Sequence, residues 1–591
     1  MKLKGLATLL ILASTLFEVG SAAGADTSWE KFRCSELKSK PKALASLPNQ
    51  SYDVVIYGGT PSGSAAARAA AELGKSVLLL SETSLFGGSI SNGVSATDLG
   101  SEEANVGLAK TYLEDVSNFY HTQDYRTEPK VAECIFLNWL DRDNIDLVQN
   151  VELVGVSKNN LDITGLRVAT VGNPKVSFIG GKTFIDASYA GDLTYLSGTP
   201  TRLGMSDYFS YHENVTKKRT LTRQFKIKSP SEIAKAEEDF SRLPHVTIRK
   251  NLKNYKEIIQ GGMPSFTYRL CVTKNQENLI PFKKTKDYET FAPAWRTWMK
   301  NYFGFKKQNQ IRTRRNGTVL TQLWRMAALP NQKYDLNSYY SSFTNFVLPR
   351  KYFANIDSRQ DIYDLYQSYM SSFLYFVQND DSVPTFESKN LSGFGLCADE
   401  FTNNHGWPEM PYIREGRRLV GKTTLTSKDL LVNREKSDAI AVGSYVLDSK
   451  PTVFVYSKGK YVRDIFELYK MPMYEIPFSA MVPKNGLRNL IVSVGLSSSP
   501  SAFASLRMEP QFIQLGQAAG TAAALAVDRK SGFTKELVGF IRNSLKDQDG
   551  FVGIREICNQ MEPSHRARWG FDISSCQITD FPLRSEAENF K

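Results

Sequence analysis

The chain has few of the residues that metalloenzymes and thiol redox enzymes depend on. Only 5 of its 591 residues are histidine, and no H-E-x-x-H motif or similar ligand spacing occurs. The six cysteines include no C-x-x-C pair, so neither a dithiol relay nor a zinc knuckle is indicated. We therefore predict no metal site.

A large charge of one sign is also missing. Lys plus Arg number 73 and Asp plus Glu number 61, a formal excess of +12 over the whole chain. Such a small excess favours acidic partners only weakly, and we predict no nucleic-acid partner. The contents of 41% hydrophobic and 23% charged residues exclude wholesale disorder, and the length predicts two or three packed units.

Long apolar runs are confined to the N-terminus. Lys2 and Lys4 precede a thirteen-residue apolar run, 5–17, and Ala23-Gly24-Ala25 offers a cleavage pattern. The run is short for a bilayer span, so we predict a signal peptide over 1–25 and a secreted protein. An N-terminal membrane anchor is the alternative. Because no later segment is long and apolar enough, we predict no stable membrane insertion of the mature chain.

Secretion would permit disulfides and glycans. Cys558 and Cys576, eighteen residues apart in a polar tail, are the first candidates for a bridge, whereas Cys271 in an apolar stretch is expected to be a buried thiol. Four N-x-S/T sequons are candidate glycosylation sites: Asn49, Asn214, Asn316 and Asn390.

The strongest local pattern is a thirty-residue unit over 53–82. Its apolar run 53–57, Gly-rich turn 58–63, Ala-rich helix 62–73 and second apolar run 76–80 predict a βαβ unit with parallel strands. The helix N-terminus would offer free N–H groups to a pyrophosphate. This favours dinucleotide binding by the turn residues Gly58, Thr60, Pro61, Ser62 and Gly63.

The turn departs from the G-x-G-x-x-G pattern, since Thr60 stands at the middle glycine. An acidic group is expected at the end of the second strand, where it would hold the ribose hydroxyls. Ser81 and Glu82 both lie at that point, and strand alternation sends them to opposite sides. A second Gly-rich loop at Gly87 and Gly88 follows and suggests a longer cofactor.

The stretch 54–98 resembles the FAD-dependent oxidoreductases of the glutathione-reductase-like fold, in particular the subfamily often labelled FAD-dependent oxidoreductase or xanthan lyase. Similar blocks extend over most of 52–530. They are 184–193, which contains Ala187, 333–337, 412–421, 438–445, 489–495, 507–511 and 515–520. The resemblance implies FAD as the cofactor and an α/β fold with a Rossmann-like FAD-binding domain.

Three positions depart from the family pattern: Ser81 at the usual acidic position, Ala190 where Glu is usual, and Lys450 where His is common. The last block forms a strand that ends at Gly495 and then a helix poor in side-chain bulk at Gly516 and Gly520. We predict that this helix points its N-terminus at the flavin; a tightly packed core helix is the alternative.

The domain order follows from these blocks. After the signal peptide we predict an N-terminal extension (26–51), an FAD-binding domain in two parts (52–200 and 471–530), an inserted mixed α+β substrate domain (201–470), and a C-terminal helix and tail (531–591). Aromatic residues at three- and four-residue steps over 363–376 predict a core or lid helix rather than a substrate platform.

The candidate catalytic residues are His405 in a turn-rich stretch, as a base, and Arg417 and Arg418, which could hold a carboxylate or a flavin edge. Structural ion pairs are the alternative for both arginines. We predict a secreted, oxidase-like enzyme that passes a hydride from a small sugar, polyol or amine to flavin N5, with oxygen or an unknown acceptor as its oxidant. A polysaccharide lyase or hydrolase and a redox-inactive binding protein are the rival classes.

Overall fold

The computed structural model describes residues 40–47, 51–211, 220–305, 312–314, 316–338, 345–464, 467–551 and 553–581. The predicted signal peptide, most of the predicted extension and the sequons at Asn49 and Asn214 lie outside these residues. Asn316 is exposed on a turn, whereas Asn390 lies half-buried in a short helix.

The first part of the chain forms a mixed sheet with helices packed on it. Its elements are β1 (Ser51–Tyr57), α1 (Pro61–Glu72), β2 (Val77–Leu80), α2 (Gly88–Ser91), α3 (Leu108–Tyr120), α4 (Pro129–Leu140), β3 (Ile145–Val148), β4 (Val151–Asn159), β5 (Asp162–Thr170), β6 (Ser177–Asp186) and α5 (Asp192–Leu196).

The middle of the chain alternates short strands with helices. In order they are β7 (Thr201–Leu203), β8 (Leu221–Lys226), α6 (Pro230–Ser241), β9 (Thr247–Ile248), α7 (Tyr255–Gln260), β10 (Ser265–Thr267), β11 (Leu270–Thr273), β12 (Leu279–Pro281), α8 (Tyr288–Phe305), β13 (Arg312–Thr313), β14 (Val319–Leu320), β15 (Trp324–Ala328), β16 (Lys333–Ser338), β17 (Phe346–Val347), α9 (Arg350–Ala354), α10 (Arg359–Asn379), α11 (Thr385–Leu391), β18 (Gly395–Cys397), β19 (Tyr412–Ile413), β20 (Arg417–Leu419), α12 (Ser427–Leu431), β21 (Ala439–Gly443), β22 (Leu447–Ser449), β23 (Phe454–Ser457), β24 (Lys460–Asp464) and β25 (Glu467–Tyr469).

The last part returns to the first sheet and ends in helices. Its elements are β26 (Tyr474–Pro477), β27 (Leu490–Val492), α13 (Pro500–Leu506), α14 (Glu509–Asp528), α15 (Val538–Asp547), α16 (Ile554–Gln560) and α17 (Pro563–Arg566). The segment predicted to be an irregular tail therefore contains two further short helices, α16 and α17.

The main sheet is built from both ends of the chain. Its strand order is β3-β2-β1-β6-β5-β4, and β27 pairs with the end of β6. Strands β1, β2, β3, β6 and β27 run parallel, whereas β4 and β5 form an antiparallel meander with the start of β6. This is the predicted Rossmann-like α/β arrangement, with the parallel strands buried under helices.

The middle segment supplies a separate, antiparallel sheet of seven strands in the order β12-β18-β11-β16-β15-β14-β13. Helix α10 lies against it and carries the aromatic stripe noted in the sequence. Four aromatic residues of this helix are buried: Tyr366, Tyr369, Phe373 and Phe376. The rings of the last three contact Trp295 of α8. The stripe is thus part of the core, as the periodicity indicated.

Two disulfides join described residues. The predicted Cys558–Cys576 bridge is confirmed. The expectation of a buried thiol at Cys271 is wrong, because Cys271 on β11 is bonded to Cys397 on the paired strand β18. The two cysteines are 126 residues apart in sequence, so only the strand pairing shows that they meet.

Removal of the Cys271–Cys397 bridge should destabilise the protein more than removal of Cys558–Cys576. The first bridge closes a loop of 126 residues and the second one of 18. Chain entropy predicts losses of roughly 4–5 and 3 kcal/mol in the free energy of unfolding, respectively. Urea denaturation of the two double Cys→Ala variants measures this, and the reverse order would contradict the chain-entropy argument.

Candidate functional site

The turn between β1 and α1 is built for close approach. Gly58 has φ +117°, a conformation that favours glycine, and a Cβ on Gly63 would overlap the Gly58 carbonyl oxygen. Thr60 precedes α1 as its N-cap, accepting a hydrogen bond from the Gly63 N–H at 3.1 Å and donating one to the Ala187 carbonyl at 2.8 Å. The threonine at the middle glycine position therefore ties the turn to the end of β6.

The second Gly-rich loop lies directly on this turn. The N–H groups of Gly87 and Gly88 both donate to the Gly59 carbonyl, at 2.8 and 3.0 Å. A Cβ on Gly88 would lie 2.8 Å from Thr60 Cα and 2.7 Å from the Tyr189 hydroxyl oxygen. Both glycines are needed for this contact between loops.

Helix α14 packs along α1. A Cβ on Gly516 would overlap the Ser62 carbonyl, and one on Gly520 would overlap that of Ala66. A Cβ on Gly495, before α13, would likewise overlap the Arg417 carbonyl. These three glycines thus bring protein segments together, and their contact with a cofactor stays a prediction.

Ser81 and Glu82 face different surroundings in the structure. Ser81 is buried against Gly59 and donates to the Leu85 carbonyl at 2.8 Å. Glu82 instead lines a cavity of about 620 Å³ at the carboxyl ends of β1 and β2, and Arg359 lies 3.7 Å away. Burial, with the nearby Asp192 carboxylate, raises the pKa of Glu82 to about 8.

That cavity lies between the first sheet and the helices of the middle segment. Other residues that line it include Tyr57, Val151, Tyr189, Ala190, Tyr352 and Arg359. A carboxylate at the end of the second strand, facing a cavity of this size, fits the ribose of a dinucleotide. Of the two residues left open by the sequence, Glu82 is the one that faces the cavity, and its contact with a ribose stays a prediction.

The two arginines singled out in the sequence are occupied by protein groups. Arg417 donates to the Asp192 carboxylate at 2.8 Å, to the Ala190 carbonyl at 3.1 Å and to the Phe353 carbonyl. Burial raises the pKa of Asp192, but its ion pairs outweigh burial and lower the pKa below its usual value.

Arg418 is fully buried and donates to the Ser498 and Gly204 carbonyls at 2.6 and 2.7 Å. It also pairs with Asp207 at 3.1 Å. These contacts favour the structural alternative for both arginines, and a catalytic role for either stays a prediction.

His405 is exposed on a turn, with φ +52°. Its neighbours Asn403 and Asn404 line the cavity that contains Glu82, but His405 does not. The histidine therefore lies beside the cavity, on the solvent side, and its role as a base stays a prediction.

Sequence reasoning missed a buried polar cluster, which we call the Arg414 cluster: Tyr412, Arg414, Asp448, Lys450 and Arg507. Arg507 donates to the Tyr412 hydroxyl at 3.0 Å and to the Asp448 carbonyl at 2.7 Å. Lys450 Nζ lies 3.1 Å from the Asp448 carboxylate, and Arg414 Cζ lies 5.1 Å from the Tyr412 ring centroid. Three of these residues belong to the blocks 412–421 and 507–511, so the blocks were the available signal.

Electrostatics in the Arg414 cluster are set by burial. Loss of water lowers the pKa of Lys450 to about 8, although Asp448 opposes the shift. Burial likewise lowers the pKa of Arg414 to about 10. Nearby, burial raises the pKa of Glu509, the first residue of α14, to about 8, and its carboxylate accepts from the Tyr189 hydroxyl at 3.0 Å.

One group of carboxylates among the described residues has oxygens close enough to share a cation: Glu128, Asp399 and Glu400. The buried ammonium of Lys333 lies 2.5, 2.6 and 2.7 Å from them. This arrangement is an ion-pair cluster that ties β16 to the loop before α4.

The described part of the chain contains no helix with the length and apolar character that a bilayer crossing needs.

The fold and the Gly-rich turn define a dinucleotide-binding flavoprotein. The sequence model of the FAD-dependent oxidoreductases matches residues 53–543, and the chain belongs to this family. FAD is its cofactor, and it is an FAD-dependent oxidoreductase. No curated protein matches the chain.

Solved flavoprotein structures are similar only distantly. The flavin-dependent brominase Bmp2 is 10% identical over 84% of this chain and 83% of its own, with a TM-score of 0.32. The myxobacterial chondrochloren halogenase CndH is 11% identical over 92% and 89%, with a TM-score of 0.32. A geranylgeranyl bacteriochlorophyll reductase-like protein from Thermoplasma acidophilum is 10% identical over 90% of this chain and 93% of its own, with a TM-score of 0.31.

Proposed function

We propose that this chain is a secreted enzyme in which a small organic substrate, a sugar, polyol or amine, gives a hydride to flavin N5 while a protein base takes the accompanying proton. The observation that carries this proposal is the Arg414 cluster, a largely buried set of ionisable side chains whose member Arg507 lies two residues before α14. FAD, when bound, supplies the hydride acceptor. The chain's own residues would bind the cofactor, orient the substrate and move the proton.

The cofactor-binding residues follow from the geometry of the first sheet. The turn 58–63 and the start of α1 would hold the pyrophosphate, and the Glu82 carboxylate would accept hydrogen bonds from the ribose hydroxyls. Burial raises the pKa of Glu82 and so disfavours its charged form. Hydrogen bonds from the ribose hydroxyls would stabilise the carboxylate and offset that cost. The buried start of α14 would face the flavin, where its partial positive charge favours an anion.

Lys450 is the base that we propose in the Arg414 cluster. With a pKa of about 8, roughly one Lys450 side chain in ten is neutral at pH 7 and about half are neutral at pH 8, so the amine can accept a proton. Family members commonly have histidine at this position, a residue that can also act as a base near neutral pH. The Asp448 carboxylate, 3.1 Å from Lys450 Nζ, would stabilise the ammonium that forms.

Secretion is supported by the two disulfides between described residues and by the N-terminal sequence pattern. We propose that oxygen or another external acceptor reoxidises the cofactor, since the sequence contains no second G-x-G-x-x-G unit for a nicotinamide nucleotide.

The absorption spectrum of the purified protein tests this function. We expect a yellow protein that one class among sugars, polyols and amines bleaches under anaerobic conditions, and whose colour returns with oxygen. A colourless protein that takes up no added FAD would contradict the proposal and favour a binding role. A yellow protein that cleaves polysaccharide without being bleached would favour the lyase alternative.

A further inference from the structure

Arg414 is a buried cation without a hydrogen-bond acceptor among the described residues. Only 5% of its surface is exposed, and its Nη1 is fully buried with no partner. Its Cζ lies over the face of the Tyr412 ring, 5.1 Å from the ring centroid. An unpaired buried guanidinium is costly, and its donors call for an acceptor from outside the chain.

The neighbouring side chains do not supply that acceptor. Asp448, the nearest carboxylate in the cluster, is engaged by Lys450 and Arg507, at 3.1 and 3.4 Å. Arg269, which also faces the Tyr412 ring, is paired with Asp335. Lys450 keeps 20% of its side chain exposed, so solvent reaches the cluster from that side.

The position of Arg414 separates it from the Glu82 cavity. Ile413 lines that cavity, whereas neither Tyr412 nor Arg414 does, and alternation along β19 sends Tyr412 to the other side. Burial lowers the pKa of Arg414, and the charge of Arg507, two residues before the buried start of α14, lowers it further. An anion at this point would lie beside the proposed base, Lys450.

The donor set fits a carboxylate. A guanidinium binds a planar carboxylate through two parallel hydrogen bonds, and Tyr412 and Lys450 add polar groups at its edge. We propose that the Arg414 cluster binds the carboxylate of an acidic substrate, such as a hydroxy acid, a sugar acid or an amino acid. This inference rests on the proposed function and narrows its substrate class.

Binding of simple carboxylates tests the inference. Acetate and glycolate are titrated into the FAD-loaded protein, with acetamide as the uncharged analogue, and binding is followed by flavin absorbance and by calorimetry. We expect saturable binding of both acids and none of acetamide. Arg414→Met should raise the dissociation constant of glycolate at least about tenfold and leave FAD retention unchanged.

A matched variant and a stability measurement complete the test. Arg488→Met removes an exposed arginine paired with Asp162 and should leave glycolate binding unchanged. Arg414→Met should raise the melting temperature of the ligand-free protein by roughly 1–3 °C, because it removes an unpaired buried charge. A lower melting temperature would show that Arg414 has a structural partner and would overturn the inference.

Three further results would overturn it. These are equal binding of acetamide and acetate, unchanged glycolate binding in Arg414→Met, or a loss confined to FAD retention, which would assign Arg414 to an anionic group of the cofactor. A yellow protein that a neutral sugar bleaches but that binds no carboxylate would contradict this inference and leave the proposed function standing. Calorimetry on protein that retains no FAD tests the carboxylate site even if the proposed function fails.

Discussion

Replacing Gly63 by valine is expected to abolish FAD retention. A Cβ at this position would overlap the Gly58 carbonyl oxygen and lie 3.2 Å from Leu79 Cδ1 on β2. The helix must then move away from the sheet, and the N–H groups at its start leave the pyrophosphate position. The ratio of bound flavin to protein after gel filtration measures the effect.

A control must separate loss of the turn from general misfolding. Gly539→Val places the same side chain on α15, where a Cβ would meet no heavy atom within 4 Å, and should retain FAD fully. Glu82→Ala leaves the turn intact and should weaken FAD binding by roughly 10- to 100-fold through loss of charged hydrogen bonds. Normal flavin content in Gly63→Val would refute the placement of the pyrophosphate.

Local patterns predicted much of the first sheet. The Ala-rich segment 62–73 corresponds to α1, 61–72, and the predicted apolar run 76–80 to β2, 77–80. Their apolar spacing and flanking Gly or Pro residues are local signals, so one sequence suffices to find them. The predicted C-terminal helix within 531–591 corresponds to α15, which begins at Val538 after a 3-10 turn at 535–537.

Contacts between distant segments could not be predicted in the same way. The apolar surroundings of Cys271 predict a free thiol, but its disulfide partner lies on a strand 126 residues later. Likewise, the sequence presents Arg414, Arg417 and Arg418 as one basic block. Arg417 finds acceptors on Asp192 and Phe353 and Arg418 on Gly204, whereas Arg414 finds none among the described residues.

Strand alternation alone does not choose between Ser81 and Glu82 as the residue that faces the cavity. Alternation states that the two residues face opposite ways, but it does not say which side holds the cavity. Contact of Ser81 with Gly59 settles the direction and leaves Glu82 on the cavity side. The structure therefore favours Glu82 over Ser81 as the candidate for the ribose contact, which stays a prediction.

Replacing Lys450 by methionine is expected to lower kcat by about two to four orders of magnitude, the usual contribution of a general base. The side chain is of similar length but cannot take a proton. In the wild-type protein the rate should rise as pH increases through about 8, because only the neutral amine can act as a base. The measurement is the pH dependence of anaerobic flavin reduction by the substrate that bleaches the protein.

Conservative replacement distinguishes proton transfer from packing. Lys450→His introduces the residue common in the family, and since histidine has a pKa near 6.5, the rise in rate should shift to lower pH. A small amine added to Lys450→Met should restore part of the rate, which a purely structural loss would not allow. Lys484→Met, at an exposed lysine, should behave as the wild type. If Lys450→Met kept both its rate and its rise near pH 8, another group would be the base, because a methionine side chain has no proton to exchange in this range.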